Sequence, residues 1–126
     1  MNKYITKAVQ LAVEQAECSP HSHKHCAVTL DRRGNVLNVG YNNKGSSWIQ
    51  RMYAKKVGKP DKTYTHAEVD ALRKSQAPYY LVVVRINSRN KLMNSAPCEI
   101  CRELIKDSGV KEVYHSIDNG VIKWDH

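Results

Sequence analysis

Two short segments constrain this chain most: 66–68, which reads His-Ala-Glu, and 97–101, which reads Pro-Cys-Glu-Ile-Cys. Each stands where the sequence predicts the start of a helix. Thr65 followed by Glu68 matches a capping box, and Pro97 suits a first helical turn, where its missing N–H costs nothing. A β-prone run lies between the two predicted helices. The fold must therefore place two helix starts and one strand around a common set of metal-ligand side chains.

The ligand-type residues of these segments, His66, Cys98 and Cys101, predict a catalytic zinc site. Positions i and i+3 share one face of a helix, so both sulfurs can reach one ion at about 2.3 Å. Three protein ligands leave the fourth tetrahedral position open, whereas a structural zinc needs a fourth ligand. The alternatives are a structural zinc and an inert thiol pair. Glu68, in the first turn beside the ligand, is better explained as a general acid–base than as the fourth ligand.

The hydrophobic pattern predicts a sheet covered by helices, in the order αββαβαββ. Apolar residues at three- and four-residue steps indicate a first helix, and the last two strands are too close together for a parallel crossover, so they should form an antiparallel hairpin. The predicted elements are helix 2–17, strands 26–30 and 36–41, a long loop 42–64 with a helical turn at 49–55, helix 66–75, central strand 79–86, a helix from Pro97 to Gly109, and strands 111–115 and 121–124.

The two segments together resemble the signature of the cytidine deaminase superfamily, in which His-x-Glu is followed by Pro-Cys-x-x-Cys. The resemblance covers residues 26–115 and is greatest to short, phage-type members. It implies a three-layer α-β-α sandwich with a mixed five-stranded sheet and an antiparallel final hairpin. It also implies zinc-dependent hydrolytic deamination of a cytosine base, as in cytidine or dCMP, to uracil with release of ammonia. Glu68 would transfer the protons.

The resemblance also suggests substrate contacts. The segment 40–42 resembles the Gly-x-Asn at the end of the family's second strand, which assigns a nucleoside contact to Asn42. Ala67, Ser95 and Ala96 are further substrate-binding candidates. The segment 94–98 departs from the Thr-Leu-Glu-Pro-Cys of tRNA adenosine deaminases, which weakens an assignment to tRNA editing. The final hairpin resembles free-nucleoside and toxin-like polynucleotide deaminases, whereas deoxycytidylate deaminases insert a helix there. Cytosine and adenine both stay open as the substrate base.

Charge adds a second substrate class. The formal net charge is +8, which favours phosphate-bearing partners. The loop 42–64 is rich in lysine and arginine interleaved with aromatic residues, as in surfaces that follow a single strand. Lys44 and Arg51 are its candidate phosphate contacts, although a solvated loop has the same composition. The alternatives are therefore a deaminase of ssDNA or tRNA, or a non-catalytic zinc protein that binds nucleic acid. Glu68 argues against the latter.

A second group of potential ligands precedes the first strand. Five such residues fall within nine positions: Cys18, His21, His23, His25 and Cys26. They could hold a second zinc ion, but their spacing is unlike that of standard zinc motifs. The alternative is a polar connector whose Cys26 enters a buried strand.

The length of 126 residues predicts a single domain, 1–126, with one continuous core. No window approaches the roughly 18 apolar residues of a membrane span, so we expect a cytoplasmic protein with reduced thiols and no membrane partner. Superfamily members often complete the pocket with a neighbouring subunit. A homo-oligomer is therefore expected, with Trp124 as a possible interface residue.

Overall fold

A computed structural model describes residues 2–19 and 24–125. Its elements in chain order are α1 (Lys3–Ala16), β1 (Lys24–Leu30), β2 (Val36–Tyr41), α2 (Trp48–Lys56), α3 (Ala67–Leu72), β3 (Tyr80–Ile86), β4 (Leu92–Met93), α4 (Glu99–Ser108), β5 (Glu112–Ile117) and β6 (Gly120–Trp124). Among these residues, no helix has the length and apolar character needed to cross a membrane.

The six strands of the described residues belong to one mixed sheet, in which five follow the order β2-β1-β3-β5-β6 and β4 pairs with β3 off this path. The pairing of β3 with β5 is parallel, and the other pairings are antiparallel. The predicted first hairpin, central strand and antiparallel final hairpin are confirmed. The sequence predicted five strands, because it gave no signal for β4, a two-residue strand that pairs with the end of β3.

Helices cover both faces of the sheet, which confirms the three-layer α-β-α architecture. On one face, α1 buries Ile5, Ala8, Ala12 and Ala16 against residues such as Val82 and Val84 of β3. On the other face, α2, α3 and α4 pack against Leu81 and Val83 of the same strand. Successive side chains of a strand point to opposite faces, so β3 contributes to both cores.

The helix starts differ from the prediction in a way that matters for the site. His66 is the N-cap of α3, and the hydroxyl of Thr65 donates to the carbonyl oxygen of Gly45 at 2.6 Å, so the predicted capping box is wrong. Likewise Cys98 is the N-cap of α4, which leaves Pro97 one residue outside the helix. Gly109 ends α4 at a φ of 81°, as predicted.

Two further elements have different lengths from those predicted. The helix from His66 was expected to reach Ser75 but ends at Leu72, after which the Ser75 hydroxyl contacts the carbonyl oxygen of Ala71 at 2.8 Å. The helical turn expected in the long loop is the nine-residue helix α2. Its N-cap, Ser47, accepts a hydrogen bond from the backbone N–H of Gln50, a regular helix start that the surrounding polar residues concealed.

The close packing of α3 on β2 depends on Gly40. A Cβ atom at this position would lie 2.4 Å from the backbone nitrogen of Ala71 and 2.7 Å from the carbonyl oxygen of Ala67. Both contacts are with backbone atoms, which cannot rotate away. The absence of a side chain at Gly40 therefore fixes how near α3 comes to the sheet.

Candidate active site

The predicted ligands His66, Cys98 and Cys101 come together where α3 and α4 begin. The Nδ1 atom of His66 lies 3.5 Å from Cys98 Sγ and 3.4 Å from Cys101 Sγ. The three ligand atoms all lie within 4.8 Å of one another. Two helix N-caps and one residue in the first turn of α4 thus converge on a single point.

This donor set fits zinc. Zinc–nitrogen bonds measure about 2.0–2.1 Å and zinc–thiolate bonds about 2.3 Å, so one ion can reach all three atoms at these separations. The second ring nitrogen of His66, Nε2, is buried without a hydrogen-bond partner among the described residues. Nδ1 is the nitrogen that faces the sulfurs. A Cys₂His set with one open position is the composition of a catalytic zinc site.

The local electrostatics favour one thiolate before any metal binds. The hydrogen bond from Cys101 lowers the pKa of Cys98 to about 3, and contact with His66 acts in the same direction. The pKa of Cys101 is raised well above its ordinary value by its hydrogen bond with Cys98 and by burial. Burial alone would lower the pKa of His66, but Cys98 and the charge of Glu68 raise it overall.

Glu68 lies in the first turn of α3, two residues after the ligand His66. Its carboxyl group is buried, and this burial raises its pKa above the ordinary value of a glutamate. A buried carboxyl group with a raised pKa holds a proton more readily near neutral pH than an exposed one does. Glu68 is therefore suited to accept and return protons beside the ligand cluster.

A cavity of about 270 Å³ opens beside this cluster. This volume lies just below the range of about 300–1,000 Å³ that is typical of small-molecule sites. The side chains around it come from both helix starts and from the sheet: His25, Asn42, Tyr64, His66, Ala67, Glu68, Arg85, Ser95, Ala96 and Cys98. All four predicted substrate-binding residues lie in this wall, and their contact with substrate stays a prediction.

Two of those four residues are held in place by hydrogen bonds. Asn42 Oδ1 accepts from the Ser19 hydroxyl at 2.5 Å and from the backbone N–H of His25 at 3.0 Å. These bonds use both lone pairs of Oδ1 and fix the orientation of the amide group. Ser95 Oγ lies 2.9 Å from the Val83 carbonyl oxygen and 2.7 Å from Ser116 Oγ. The segment before Cys98 is thereby fixed against the sheet.

Lys44 and Arg51, the candidate phosphate contacts, are exposed and do not line this cavity. Arg51 instead donates to the Ser46 hydroxyl at 2.9 Å. Other cations of the same stretch pair with acids of α4: Lys56 lies 3.8 Å from Glu103, and Lys59 lies 3.4 Å from Glu99. Part of the basic loop therefore joins α2 to α4.

The second predicted metal cluster falls partly outside the described residues, since His21 and His23 are not described. Over residues 2–19 and 24–125, the grouped ligands are His66, Cys98 and Cys101. His25 and Cys26 are neighbours on β1 and point to opposite faces, so they cannot jointly hold one ion in this arrangement. Cys26 is buried beneath α1, and this burial raises its pKa to about 12.

Sequence reasoning did not place His25 and Arg85 at the cavity, and it considered Tyr64 only as an aromatic residue of the basic loop. Tyr64 packs on the His66 ring with centroids 5.0 Å apart. A signal for Arg85 was present, because it is the one charged residue in the apolar strand β3 and alternates with Leu81 and Val83, which face the helices that carry the ligands. His25 was considered only as a ligand of a second ion.

Solved deaminase structures share this fold. The dCMP deaminase of cyanophage S-TIM5 in its apo form aligns with a TM-score of 0.62 and 21% identity over 91% of this chain and 84% of that chain. The same enzyme in complex with dCMP and dUMP aligns with a TM-score of 0.61 and 23% identity, over 91% of this chain and 82% of that chain. A point mutant of cytidine deaminase from Mycobacterium tuberculosis aligns with a TM-score of 0.54 and 16% identity, over 90% of this chain and 88% of that chain.

No curated protein matches the chain in sequence. The family model described as the cytidine and deoxycytidylate deaminase zinc-binding region matches residues 1–117. This match covers the whole ligand cluster, Glu68 and every strand of the sheet except β6. The chain therefore belongs to the cytidine and deoxycytidylate deaminase family.

Proposed function

We propose that this protein hydrolyses the amino group of cytosine in a mononucleoside or mononucleotide, such as cytidine or dCMP, giving the uracil compound and ammonia. One observation carries the proposal: the buried carboxyl group of Glu68 shares the wall of a small cavity with the ligands His66 and Cys98. The volume of about 270 Å³ suits a single small ligand.

His66, Cys98 and Cys101 would hold the zinc ion. When bound, zinc supplies Lewis acidity that lowers the pKa of water toward about 7. The protein contributes the orientation of the ligands, because the backbone of each helix start fixes His66 and Cys98 as N-caps. The first turn of α4 fixes Cys101.

Glu68 would carry out both proton transfers of the reaction. Its carboxylate accepts a proton from the attacking water while the C4–O bond forms, and it passes that proton to the ring nitrogen N3. The second proton of the water reaches the amino group by way of the same carboxyl group, the C4–N bond breaks, and ammonia leaves. One water is consumed for each ammonia released, and Glu68 ends in its starting state.

The remaining wall would position the base and sugar. We assign a contact with the nucleoside to Asn42, and further substrate contacts to Ala67, Ser95 and Ala96. Hydrogen bonds from Ser19 and the His25 N–H fix the side-chain amide of Asn42, and hydrogen bonds with Val83 and Ser116 fix the hydroxyl of Ser95. Such rigid support favours a preorganised site over one that forms around its ligand.

Ammonia release tests this function. The zinc-loaded protein would be given cytidine, deoxycytidine, CMP, dCMP, adenosine and guanine compounds, beside ssDNA oligonucleotides. Turnover of a cytosine mononucleoside or mononucleotide is the expected result. If none of these compounds reacts and uracil forms in the oligonucleotide, the proposal is wrong.

A second candidate, a deaminase of single-stranded nucleic acid, has one observation in its favour. Trp48 is 65% exposed on α2 and Tyr64 is 38% exposed at the cavity, as in surfaces on which bases stack. Lys44 and Arg51 would then contact phosphates of the strand. The oligonucleotide arm of the same assay tests this candidate, and Trp48→Ala should weaken oligonucleotide binding if it is right. A non-catalytic zinc protein would show binding without ammonia release.

A further inference from the structure

The helix α2 lies within the basic stretch that leads from β2 to α3, and its polar side chains meet the helix that carries the two cysteine ligands. Acids spaced four residues apart lie along one face of α4, and their partners on α2 and in the turn after it are spaced three apart. The pairs are Tyr53 with Asp107, Lys56 with Glu103 and Asp107, and Lys59 with Glu99. The start of one helix thus meets the end of the other, so α2 and α4 run antiparallel.

The contact between Tyr53 and Asp107 differs in kind from the ion pairs beside it. The Tyr53 hydroxyl donates to Asp107 Oδ2 at 2.6 Å, and the Tyr53 ring is buried in the core that contains Cys101. The lysines are half exposed at 3.4–3.8 Å from their partners, and exposed pairs of this kind contribute little to stability. Tyr53 therefore provides the main polar link between α2 and α4.

The protonation states of the two groups favour this link. Burial and the hydrogen bond to Asp107 raise the pKa of Tyr53 to about 12, so its hydroxyl keeps the proton that it donates. The same hydrogen bond lowers the pKa of Asp107, which stays ionised at neutral pH. A hydrogen bond to an ionised acceptor is roughly twice as strong as one between neutral groups.

The same helix also holds the start of α3. Gln50 lies one turn before Tyr53 and accepts a hydrogen bond from the backbone N–H of His66 at 3.2 Å. The helix α4 has more extensive contact with α2 than with α3. One turn of α2 therefore links the helix that begins at His66 to the helix that begins at Cys98 and contains Cys101.

The direction of α4 decides where its sulfur atoms lie. A helix of ten residues is a rigid rod about 15 Å long. Near its start, Ser95 is bound to the sheet, and in its last turn Asp107 is bound to Tyr53. Core packing is non-directional, whereas a hydrogen bond constrains both distance and angle. Two such points fix the axis of α4, and with it the positions of Cys98 and Cys101.

We propose that Tyr53 is a positioning residue of the metal site: through its hydrogen bond to Asp107 it fixes α4 relative to α3 and so sets the separation of the sulfur ligands from His66. This inference rests on the proposed function only in taking His66, Cys98 and Cys101 as the zinc ligands. Part of the basic stretch thereby serves the geometry of the metal site.

The experiment compares Tyr53→Phe with Tyr114→Phe, which is a matched control. The Tyr114 hydroxyl donates to Glu112 Oε1 at 2.7 Å, but Tyr114 packs on the face of the sheet that α1 covers. Each change thus removes one tyrosine–carboxylate hydrogen bond, and both should lower the free energy of unfolding by a similar amount. Competition with a chelator would measure zinc affinity, and the visible absorption of the Co²⁺-substituted protein would report ligand geometry. Tyr53→Phe should weaken zinc affinity about threefold to tenfold and alter the Co²⁺ spectrum, whereas Tyr114→Phe should do neither.

Asp107 supplies a second pair of variants that does not disturb the core. Its side chain is half exposed, so Asp107→Ala removes the acceptor while the Tyr53 ring stays in place. Asp107→Ala should reproduce the weaker zinc affinity and the altered spectrum, and Asp107→Asn, which keeps an acceptor oxygen, should recover most of the affinity. The proposal is wrong if Tyr53→Phe, or Asp107→Ala where Tyr53→Phe does not fold, matches Tyr114→Phe in affinity and spectrum.

These measurements need no substrate, which separates this inference from the proposed reaction. A protein whose metal binding depends on Tyr53 but that deaminates no cytosine compound would contradict the reaction and support the positioning role. A protein that deaminates dCMP, with zinc affinity and Co²⁺ spectrum unaffected by Tyr53→Phe, would do the reverse.

Discussion

The side-chain oxygen of Gln50 accepts a hydrogen bond from the backbone N–H of His66 at 3.2 Å, across 16 residues of sequence. Gln50 is fully buried, and its Nε2 donates to the carbonyl oxygen of Lys62 at 3.2 Å. One amide group on α2 therefore holds both the end of the long loop and the residue that begins α3. Because His66 is a predicted zinc ligand, this amide helps to set where the ligand stands.

Gln50→Ala should consequently weaken both the fold and metal retention. Losing two partly buried hydrogen bonds leaves the His66 N–H and the Lys62 carbonyl without their partner, at a cost of about 1–3 kcal/mol in the free energy of unfolding. Urea unfolding and zinc loss to a competing chelator would measure the two effects. Gln10→Ala, on the exposed face of α1, is the control. Equal behaviour of both variants would contradict a positioning role for Gln50.

Glu68→Gln should keep the fold and the metal while lowering kcat about 10²- to 10⁴-fold, because an amide cannot accept and return a proton. Steady-state rates of ammonia release, with zinc content measured on the same samples, check this expectation. Glu14→Gln on the exposed surface of α1 should leave both quantities unchanged. Full activity in Glu68→Gln would refute the proton-transfer assignment.

Metal analysis should find one zinc ion per chain. Cys98→Ser should reduce this content and the activity together, because the ligand set loses one of its two thiolates. Cys18→Ser should change neither, since Cys18 is exposed and lies outside the cluster. A content near two ions that falls to one in Cys18→Ser would instead establish a second metal site before β1.

The ionisation of Asp70 should make the free energy of unfolding depend on pH in the acid range. Burial by itself would raise the pKa of Asp70, but hydrogen bonds from Arg73, the Tyr41 N–H and Lys74 hold it below its ordinary value of 3.8. A lowered folded-state pKa means that the ionised form stabilises the fold above about pH 4, and that this contribution is lost as the pH falls through the folded-state pKa.

The corresponding test is Asp70→Asn, which should lower the free energy of unfolding by about 1–3 kcal/mol at pH 7. The difference from the unmodified protein should shrink as the pH falls below about 4. Urea unfolding across this range measures it, with the exposed Asp61→Asn as control. A difference independent of pH would mean that Asp70 acts by packing and not by charge.

Gly40→Ala should displace or destabilise α3, because the added Cβ meets backbone atoms of Ala67 and Ala71. We expect a loss of about 1–3 kcal/mol in stability together with lower activity, since α3 carries His66 and Glu68. Gly120→Ala, where the nearest atoms are 3.7 and 3.8 Å away, is the control. Thermal unfolding and kcat would be measured on both variants. Unchanged values for Gly40→Ala would show that α3 can shift to make room for the added Cβ without loss of stability or activity.

Much of the fold followed from local pattern. Four local patterns each specify one element, because burial of one face imposes a periodicity on the chain. They are the three- and four-residue steps of α1, the turn between β1 and β2, the apolar run of β3 and the short link before β6. The helix starts were misplaced by a residue or two. Thr65 has the right chemistry for a cap, but a distant partner, the carbonyl oxygen of Gly45, binds its hydroxyl.

By itself, the sequence predicted the chemistry of the cluster: the roles proposed for His66, Cys98, Cys101 and Glu68 follow from residue type and spacing, since side-chain identity fixes which atoms can bind a metal or accept a proton. Tertiary structure alone decided which polar residues surround them. Gln50 looks like an ordinary polar position along the chain, and Arg85 stands out only as the one charged residue of an apolar strand. Only the packing of α2 against His66 and the pairing of β3 with β1 bring them to the site, because contacts across 16 or more residues leave no local signature.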